Sequence, residues 1–272
     1  MEKTPILAIM YDFDHTLSPR DMQEYGFIPD LGMEADVFWN KCLKAMKRNQ
    51  MDQILAYMYM MLEEAKGKLI VNRNMLRALG KDVQLFDGVS DWFARVNEYA
   101  RSRGLQPEHY IISSGLKEIY AASFCYDEHG VACWPAMAVN YTSKTQFLFR
   151  VNKGVLDVTE HRALNEFMPE EKRRVPFSNM IYVGDGLTDV PSMKLTKLNG
   201  GHSIAVWQEN EGVSNEMLLE GRVDFAVKAD YSKGSEMEKT VFAVIDQIAA
   251  SAKTAQMHVD ACDRAKRTQE EA

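Results

Sequence analysis

The sequence predicts an α/β protein: a mostly parallel sheet with helices packed on it, and a small helical domain inserted near the N-terminus. Three observations carry this. Short apolar, strand-like runs alternate with helical stretches through most of the chain, the pattern of βαβ units. From about residue 22 to residue 79 the strand pattern disappears and only helical patterning remains. The first apolar run, Ile6–Tyr11, leads directly into Asp12-Phe13-Asp14, and ligands of open α/β sheets bind at the carboxyl ends of strands.

In chain order, Ile6–Tyr11 reads as a buried strand. Glu34–Lys47, Met51–Lys66 and Asn72–Leu79 read as helices of the insertion, a domain spanning residues 18–84. Its methionines, Met33, Met46, Met51, Met58, Met60, Met61 and Met75, suit the inside of a small bundle. Some could instead face a substrate cavity, because Met fills irregular gaps and adaptable surfaces. Val89–Arg103 is amphipathic and stops at Gly104, and His109–Ile112 is the next parallel-type strand. Leu116–Ala122 reads as helix, Phe124–Trp134 as a hairpin turning near Glu128–Gly130, and Gln146–Val151 as a further strand. Then come helix Val155–Phe167, strand Asn179–Val183, helix Leu187–Leu195, strand Ser203–Val206, helix Gly212–Leu219, strand Val223–Val227 and helix Met237–Ala252. The main domain is thus residues 1–17 and 85–253, and the polar residues 254–272 form a helix extension or a tail.

A chain of 272 residues can bury a sizeable core, and its net charge of −7 argues against nucleic acid, whose phosphates are bound by basic surfaces. No apolar stretch reaches the roughly 20 residues that a membrane helix needs. The first apolar run is short and Asp12 interrupts it, so no signal peptide is expected. Cys42, Cys125, Cys133 and Cys262 lack CxxC spacing, which predicts neither a zinc site nor a thioredoxin-like site, and reduced thiols in a cytoplasm are the simplest reading. Asn140-Tyr141-Thr142 fits a glycosylation sequon but has no weight without secretion. Oligomeric state leaves no signal in the sequence.

Strand side chains alternate between faces, so Asp12 and Asp14 start out on one side. Paired carboxylates repel unless a cation, a shared proton or hydrogen bonds relieve them. Aspartates that simply make a turn would look the same, so the pair needs partners. Three groups at strand carboxyl ends offer them. Ser113-Ser114-Gly115 follows His109–Ile112; a small hydroxyl and a glycine let backbone N–H groups approach a phosphate, although a helix cap reads equally well. Lys153 precedes the helix Val155–Phe167, against the dipole preference, which suggests another task for it; Lys144 is the competing lysine. Gly184-Asp185-Gly186-Leu187-Thr188-Asp189 follows Asn179–Val183 and sets two acids on a tight turn, which suits Mg²⁺ held by carboxylates, waters and substrate oxygens.

In series, these groups resemble the four motifs of the haloacid dehalogenase superfamily of phosphohydrolases. Asp12-Phe13-Asp14-His15-Thr16 is similar to the first, Ser113 to the second, Lys153 to the third and Gly184–Asp189 to the fourth. The resemblance covers about residues 5–17 and 85–250. It implies a Rossmann-like three-layer core, a C1-type helical cap, and Mg²⁺-dependent hydrolysis of a small phosphomonoester through an aspartyl phosphate. By that resemblance Asp12 is the nucleophile and Asp14 the general acid and base. Asp12, the Asp14 carbonyl and Asp185 hold the metal, with Asp189 as a ligand or its close support. Ser113, Ser114, Gly115 and Lys153 bind phosphoryl oxygens, and Thr16 orients the first loop. The layout is nearest the phosphoserine phosphatase-like branch, which keeps a substrate-reading glutamate seven residues past the second aspartate; here Asp21 holds that place, one methylene shorter. No cap arginine matches, so serine phosphate is not assigned and the partner expected is a small phosphorylated metabolite.

Rival readings share the scaffold. A dehalogenase needs neither a leaving-group proton nor a metal, so Asp14 and Asp185 argue against it. A P-type ATPase domain would need membrane spans. A phosphotransferase stays open. So does a non-catalytic phosphate-ligand binding protein, although every motif acid is kept.

Overall fold

The computed structural model describes residues 4–116 and 120–270. Along the chain come β1 (Ile6–Tyr11), α1 (Phe27–Asp30), α2 (Ala35–Asn49), α3 (Gln53–Ala65), α4 (Arg73–Leu79), α5 (Val89–Ser102), β2 (Gln106–Leu116), β3 (Tyr120–Tyr126), β4 (Ala132–Met137), α6 (Ser143–Lys153), α7 (Arg162–Asn165), β5 (Met180–Gly184), α8 (Val190–Leu198), β6 (His202–Trp207), α9 (Gly212–Leu219), β7 (Phe225–Lys228) and α10 (Glu236–Glu270). One sheet carries all seven strands in the order β4-β3-β2-β1-β5-β6-β7. From β2 to β7 it is parallel, β3 joins β2 in parallel with a register shift between Ser113 and Leu116, and β4 returns antiparallel on β3 as the expected hairpin. The predicted α/β class is the observed one.

β1 is central because it is apolar on both faces, as a strand covered on both sides must be. Leu7, Ile9 and Tyr11 face α5 and α10, packing with Trp92, Val96, Val241 and Ile245. Ala8 and Met10 face the other way, into Phe147 and Leu148 of α6, Met193 of α8 and Met217 of α9. The sheet is therefore the middle of three layers. Period-two alternation continued one residue past β1 sends Asp12 to the α6 and α8 face, and this decides its partners.

Helices α1 to α4 gather a separate apolar cluster around Phe27, Phe38, Tyr57, Met58 and Met61. Asp52 starts α3 by accepting from the amides of Ile54 and Leu55 at 2.9 and 3.2 Å, and Asn72 starts α4 by accepting from Met75 at 2.8 Å, as side-chain caps do. The β3–β4 hairpin joins this cluster through Ala122, Phe124 and Ala132, and the Ala132 amide donates to the Val71 carbonyl at 2.7 Å. The hairpin thus buttresses the helical insertion.

Several expected elements are different. The helix expected over Leu116–Ala122 is not formed where it can be seen: β2 runs through Leu116, residues 117–119 lie outside the described residues, and Tyr120, Ala121 and Ala122 begin β3, paired with β2 and buried. Gln146–Val151, expected as strand, lies inside α6, where Phe147, Leu148 and Val151 make one apolar helical face. The helix expected over Val155–Phe167 shrinks to the single turn α7. Gly154, at φ 78°, ends α6 in the left-handed region that favours glycine. The buried Arg150 guanidinium then donates to the carbonyls of Val155, Asp157, Val158 and Glu160 at 2.6–3.3 Å. Those carbonyls are satisfied without a helix. At the other end, α10 continues to Glu270, the helix extension that is one of the two expectations for residues 254–272. All four cysteines are free thiols, with Cys125 and Cys133 Sγ atoms 3.4 Å apart across the hairpin.

Candidate active site

Parallel register assembles the site. Tyr11 pairs with Ile111 of β2 and with Val183 of β5, so Asp12, the Ser113–Gly115 segment and Asp185 leave neighbouring strands at one edge. The Asp12 amide donates to the Val183 carbonyl at 2.9 Å, after which the chain turns away from the sheet. The amides of Thr16, Leu17 and Ser18 all donate to the Phe13 carbonyl at 3.2, 2.8 and 3.1 Å, and His15 takes φ 59°. Asp14 therefore reaches the site from this tight turn and not by strand alternation. Its Oδ1 accepts from the Met22 amide at 2.9 Å. Asp12 and Asp14 both line a cavity of about 670 Å³ between the sheet edge and α2–α3.

Lys144, in the first turn of α6, is fully buried. Its Nζ lies 2.9 Å from Asp12 Oδ2 and 2.7 Å from Asp189 Oδ1. Asp189 Oδ1 also accepts from the Tyr182 hydroxyl at 2.8 Å, and Thr16 Oγ1 donates to Asp185 Oδ1 at 3.3 Å. Lys153, expected at the phosphate, is elsewhere. It ends α6, and its Nζ donates to the carbonyls of Leu164 and Glu166 at 2.6 and 2.7 Å. Once α6 is placed, the dipole reasoning changes sign: Lys153 sits at a helix C-terminus, where a cation is favoured, and Lys144 sits at the N-terminus, where it is not. Lys144 is the lysine at the candidate site.

Ser113 is buried with its Oγ accepting from the Gly115 amide at 2.9 Å, and it lines the apolar cavity beside the site. Ser114 and Gly115 line the chamber itself. A Cβ on Gly115 would stand 2.8 Å from Asp14 Oδ2, so a larger residue here would push the Asp14 carboxylate aside. Asp21 lies at the rim of the chamber, its Oδ2 3.7 Å from His15 Nε2.

Burial dominates the electrostatics. Burial, then the charge of Asp21, pushes the Asp14 carboxyl up to about 7. Burial, then Asp189, pushes Asp185 up to about 6. Burial and Asp189 likewise raise Asp12, opposed by Lys144. Burial alone would lower Lys144, but Asp12 and Asp189 more than reverse it and keep the ammonium charged. Asp21 draws His15 up to about 9.

Carboxylate oxygens of Asp12, Asp185 and Asp189 lie within 4.8 Å of one another. Three acids face one ammonium, and two buried oxygens, Asp12 Oδ1 and Asp189 Oδ2, have no hydrogen-bond partner among the described residues. Unpaired buried oxygens are costly, and a hard divalent cation satisfies both the charge and the lone pairs. These residues fit Mg²⁺. The Asp14 carboxylate is not in that cluster, and its Oδ1 is occupied by the Met22 amide.

A sequence model of haloacid dehalogenase-like hydrolases matches residues 9–194. The chain belongs to that family. The matched span runs from β1 into α8 and contains Asp12, Asp14, Lys144, Asp185 and Asp189. An uncharacterized protein of Borreliella burgdorferi is 24% identical over 278 residues, covering 87% of this chain and 95% of the relative. Among solved structures, a substrate-bound phosphoserine phosphatase complex is similar at TM-score 0.53 and 15% identity, covering 85% of this chain and 96% of that one. A HAD family hydrolase from Salmonella enterica serovar Typhi is similar at TM-score 0.53 and 14% identity, covering 82% of this chain and 68% of that one. At these identities the solved structures show a shared fold. No helix among the described residues is long and apolar enough to cross a membrane.

Some residues of this hydrolase's site carry no motif and were not legible in advance. Tyr57 of α3 donates to the Ser114 carbonyl at 2.7 Å, and Asp52 Oδ2 accepts from Asn140 Nδ2 at 2.9 Å. Both bonds close the insertion onto the sheet edge. A signal for Lys144 did exist. Asn140 Oδ1 accepts from the Ser143 amide while Ser143 Oγ accepts from the Asn140 amide, at 2.9 and 2.7 Å. This reciprocal pair, like a capping box, marks the true start of α6 just before Lys144.

Proposed function

We propose that this hydrolase cleaves a small phosphomonoester, with Mg²⁺ as cofactor, through a phosphoryl group carried on Asp12. The supporting observation is Asp12 itself: buried at the end of the central strand, its Oδ2 fixed by Lys144 and its Oδ1 without a partner among the described residues. In the first step Asp12 attacks phosphorus and the bond from phosphorus to the leaving alcohol oxygen breaks. Asp14, held near pKa 7, gives its proton to that oxygen. In the second step water attacks the phosphoryl group, Asp14 takes the water's proton, and phosphate leaves with Asp12 restored. Lys144 orients Asp12 throughout and, with backbone N–H groups near Ser114 and Gly115, meets charge spreading over the phosphoryl oxygens. Asp12, Asp185 and Asp189 would hold Mg²⁺, which when bound offsets the charge of phosphoryl oxygens and carboxylates. Residues 18–84 would act as a cap, excluding bulk water while the ester is bound.

Rapid-quench measurement with an aryl phosphate and Mg²⁺ tests this. A burst of alcohol and phosphate trapped on Asp12 are expected, with loss of both after exhaustive chelation. Asp12→Asn should lose roughly 10⁴-fold or more in turnover while staying folded. Near-normal turnover by that variant would overturn the proposal.

A further inference from the structure

Gln208 is the first residue after β6, the strand beside β5 in the sheet. It is half-buried and lies outside the four motif segments. Its side-chain Nε2 stands 3.1 Å from His15 Nδ1 and donates to the Pro19 carbonyl at 3.2 Å. These contacts grip both ends of the turn that carries Asp14. His15 follows Asp14 directly, and Pro19 follows Ser18, whose amide closes the turn on the Phe13 carbonyl. An amide can hold the imidazole in either charge state, because it donates to a bare Nδ1 and, turned over, accepts from Nδ1–H.

The turn needs such a grip. His15 has φ 59° although it carries a Cβ. That left-handed conformation is disfavoured for such a residue and persists where the surroundings impose it. The middle of the turn is tied separately: the Tyr231 hydroxyl donates to the Thr16 carbonyl at 2.8 Å, and Thr16 Oγ1 donates to Asp185 Oδ1. The strained residue itself is met on one ring nitrogen by Gln208 and on the other by Asp21, at 3.7 Å. Asp21 belongs to the insertion, whereas Gln208 belongs to the sheet. The Asp14 carboxylate is likewise bonded on the insertion side, through the Met22 amide. Gln208 therefore ties the turn of Asp14 to the same sheet that fixes Asp12, and general acid catalysis needs those two groups in one frame.

We infer that Gln208 is a positioning residue: by holding His15 and Pro19 it aims Asp14 at the leaving oxygen. This deepens the phosphomonoesterase reading and rests on it for turnover, whereas the hold on the turn can be read without turnover. Hydrogen exchange reads the hold. The amides of Thr16, Leu17 and Ser18, which donate to the Phe13 carbonyl, should exchange at least about tenfold faster in Gln208→Met, with β1 and β5 amides and circular dichroism unchanged. Rapid-quench kinetics with Mg²⁺ read the aim. Gln208→Met should slow the burst from phenyl phosphate about thirtyfold and that from dinitrophenyl phosphate less than about threefold, because dinitrophenolate leaves without a proton. A merely structural role would slow both esters alike. In a His15→Gly background, where the left-handed φ is free of strain, Gln208→Met should slow the phenyl phosphate burst less than about fivefold. Unchanged exchange, equal slowing of the two esters, or a full loss in the His15→Gly background overturns the inference and leaves the phosphatase reading standing. If the unaltered chain hydrolyses neither ester, the phosphatase reading and the aiming role fall together, and exchange alone decides the hold on the turn.

Discussion

The sheet edge and the helical insertion face each other across one chamber and are built on opposite principles. At the sheet edge Asp12 and Asp189 are held by the buried Lys144, and Asp14 is held by the Met22 amide. On the insertion side Met46, Met51 and Leu43 line the wall. Groups that move protons and phosphoryl need fixed geometry, because small displacements lose rate. A surface that fits a leaving group needs shape and adaptable side chains, which methionine supplies.

Removing Lys144 should separate the two sides most sharply. Lys144→Met leaves Asp12 and Asp189 buried without their cation, a loss of about 3–5 kcal/mol, and turnover should fall by roughly 10³-fold or more. Lys153→Met, at the far end of the same helix, should lose about 1 kcal/mol and keep turnover within a few-fold. Melting curves and aryl phosphate kinetics on both variants check this, and equal effects would erase the distinction between the lysines.

Gly115→Ala should follow. Its Cβ would fall 2.8 Å from Asp14 Oδ2, so kcat should drop about a hundredfold with the melting temperature little changed. A variant with normal kcat would show that Asp14 needs no fixed position.

A pH titration probes the sheet's other face. Trp92 Nε1 donates to the Tyr11 hydroxyl at 3.0 Å, and Tyr11 lies 3.2 Å from His109 Nδ1. Indole is only a donor, so Tyr11 accepts from Trp92 and its own hydroxyl proton can go to His109 Nδ1 when that nitrogen is unprotonated. Burial lowers the His109 pKa from 6.5 to about 4. The unfolded chain therefore binds the proton first: this contribution is full above pH 6.5 and is lost as pH falls through about 4. It amounts to about 3 kcal/mol. Urea denaturation across that window should show the slope, and His109→Gln should flatten it.

Tyr57→Phe should have the smallest effect. It unties α3 from the Ser114 carbonyl, for about 1 kcal/mol and a several-fold rise in KM at nearly constant kcat. A fall in kcat alone would place Tyr57 with the sheet edge instead.

Legibility followed the same division. Ile6–Tyr11 was readable because a strand buried on both faces is apolar throughout, and Gly184–Asp189 because acids and glycines on a turn are local chemistry. The α6 region departs from its apolar pattern because its helix start is a reciprocal bond between Asn140 and Ser143, its end depends on Gly154, and the loop beyond is held by Arg150. None of these shows in the apolar period. The chamber wall was legible only in outline: Met58 and Met61 pack the insertion's core, while Met46 and Met51 face the cavity, and identical residue types took both roles.

By itself, then, the sequence determined the α/β class, the strand that carries Asp12, the acids that fit a metal and the presence of a helical insertion, because each is written in local period or residue chemistry. Only the tertiary structure decided that Lys144 and not Lys153 meets Asp12, and that Asp14 arrives from a turn. Those facts depend on which face a side chain takes and what lies across from it, and side chains distant in the chain become neighbours only when the sheet and the insertion close on each other.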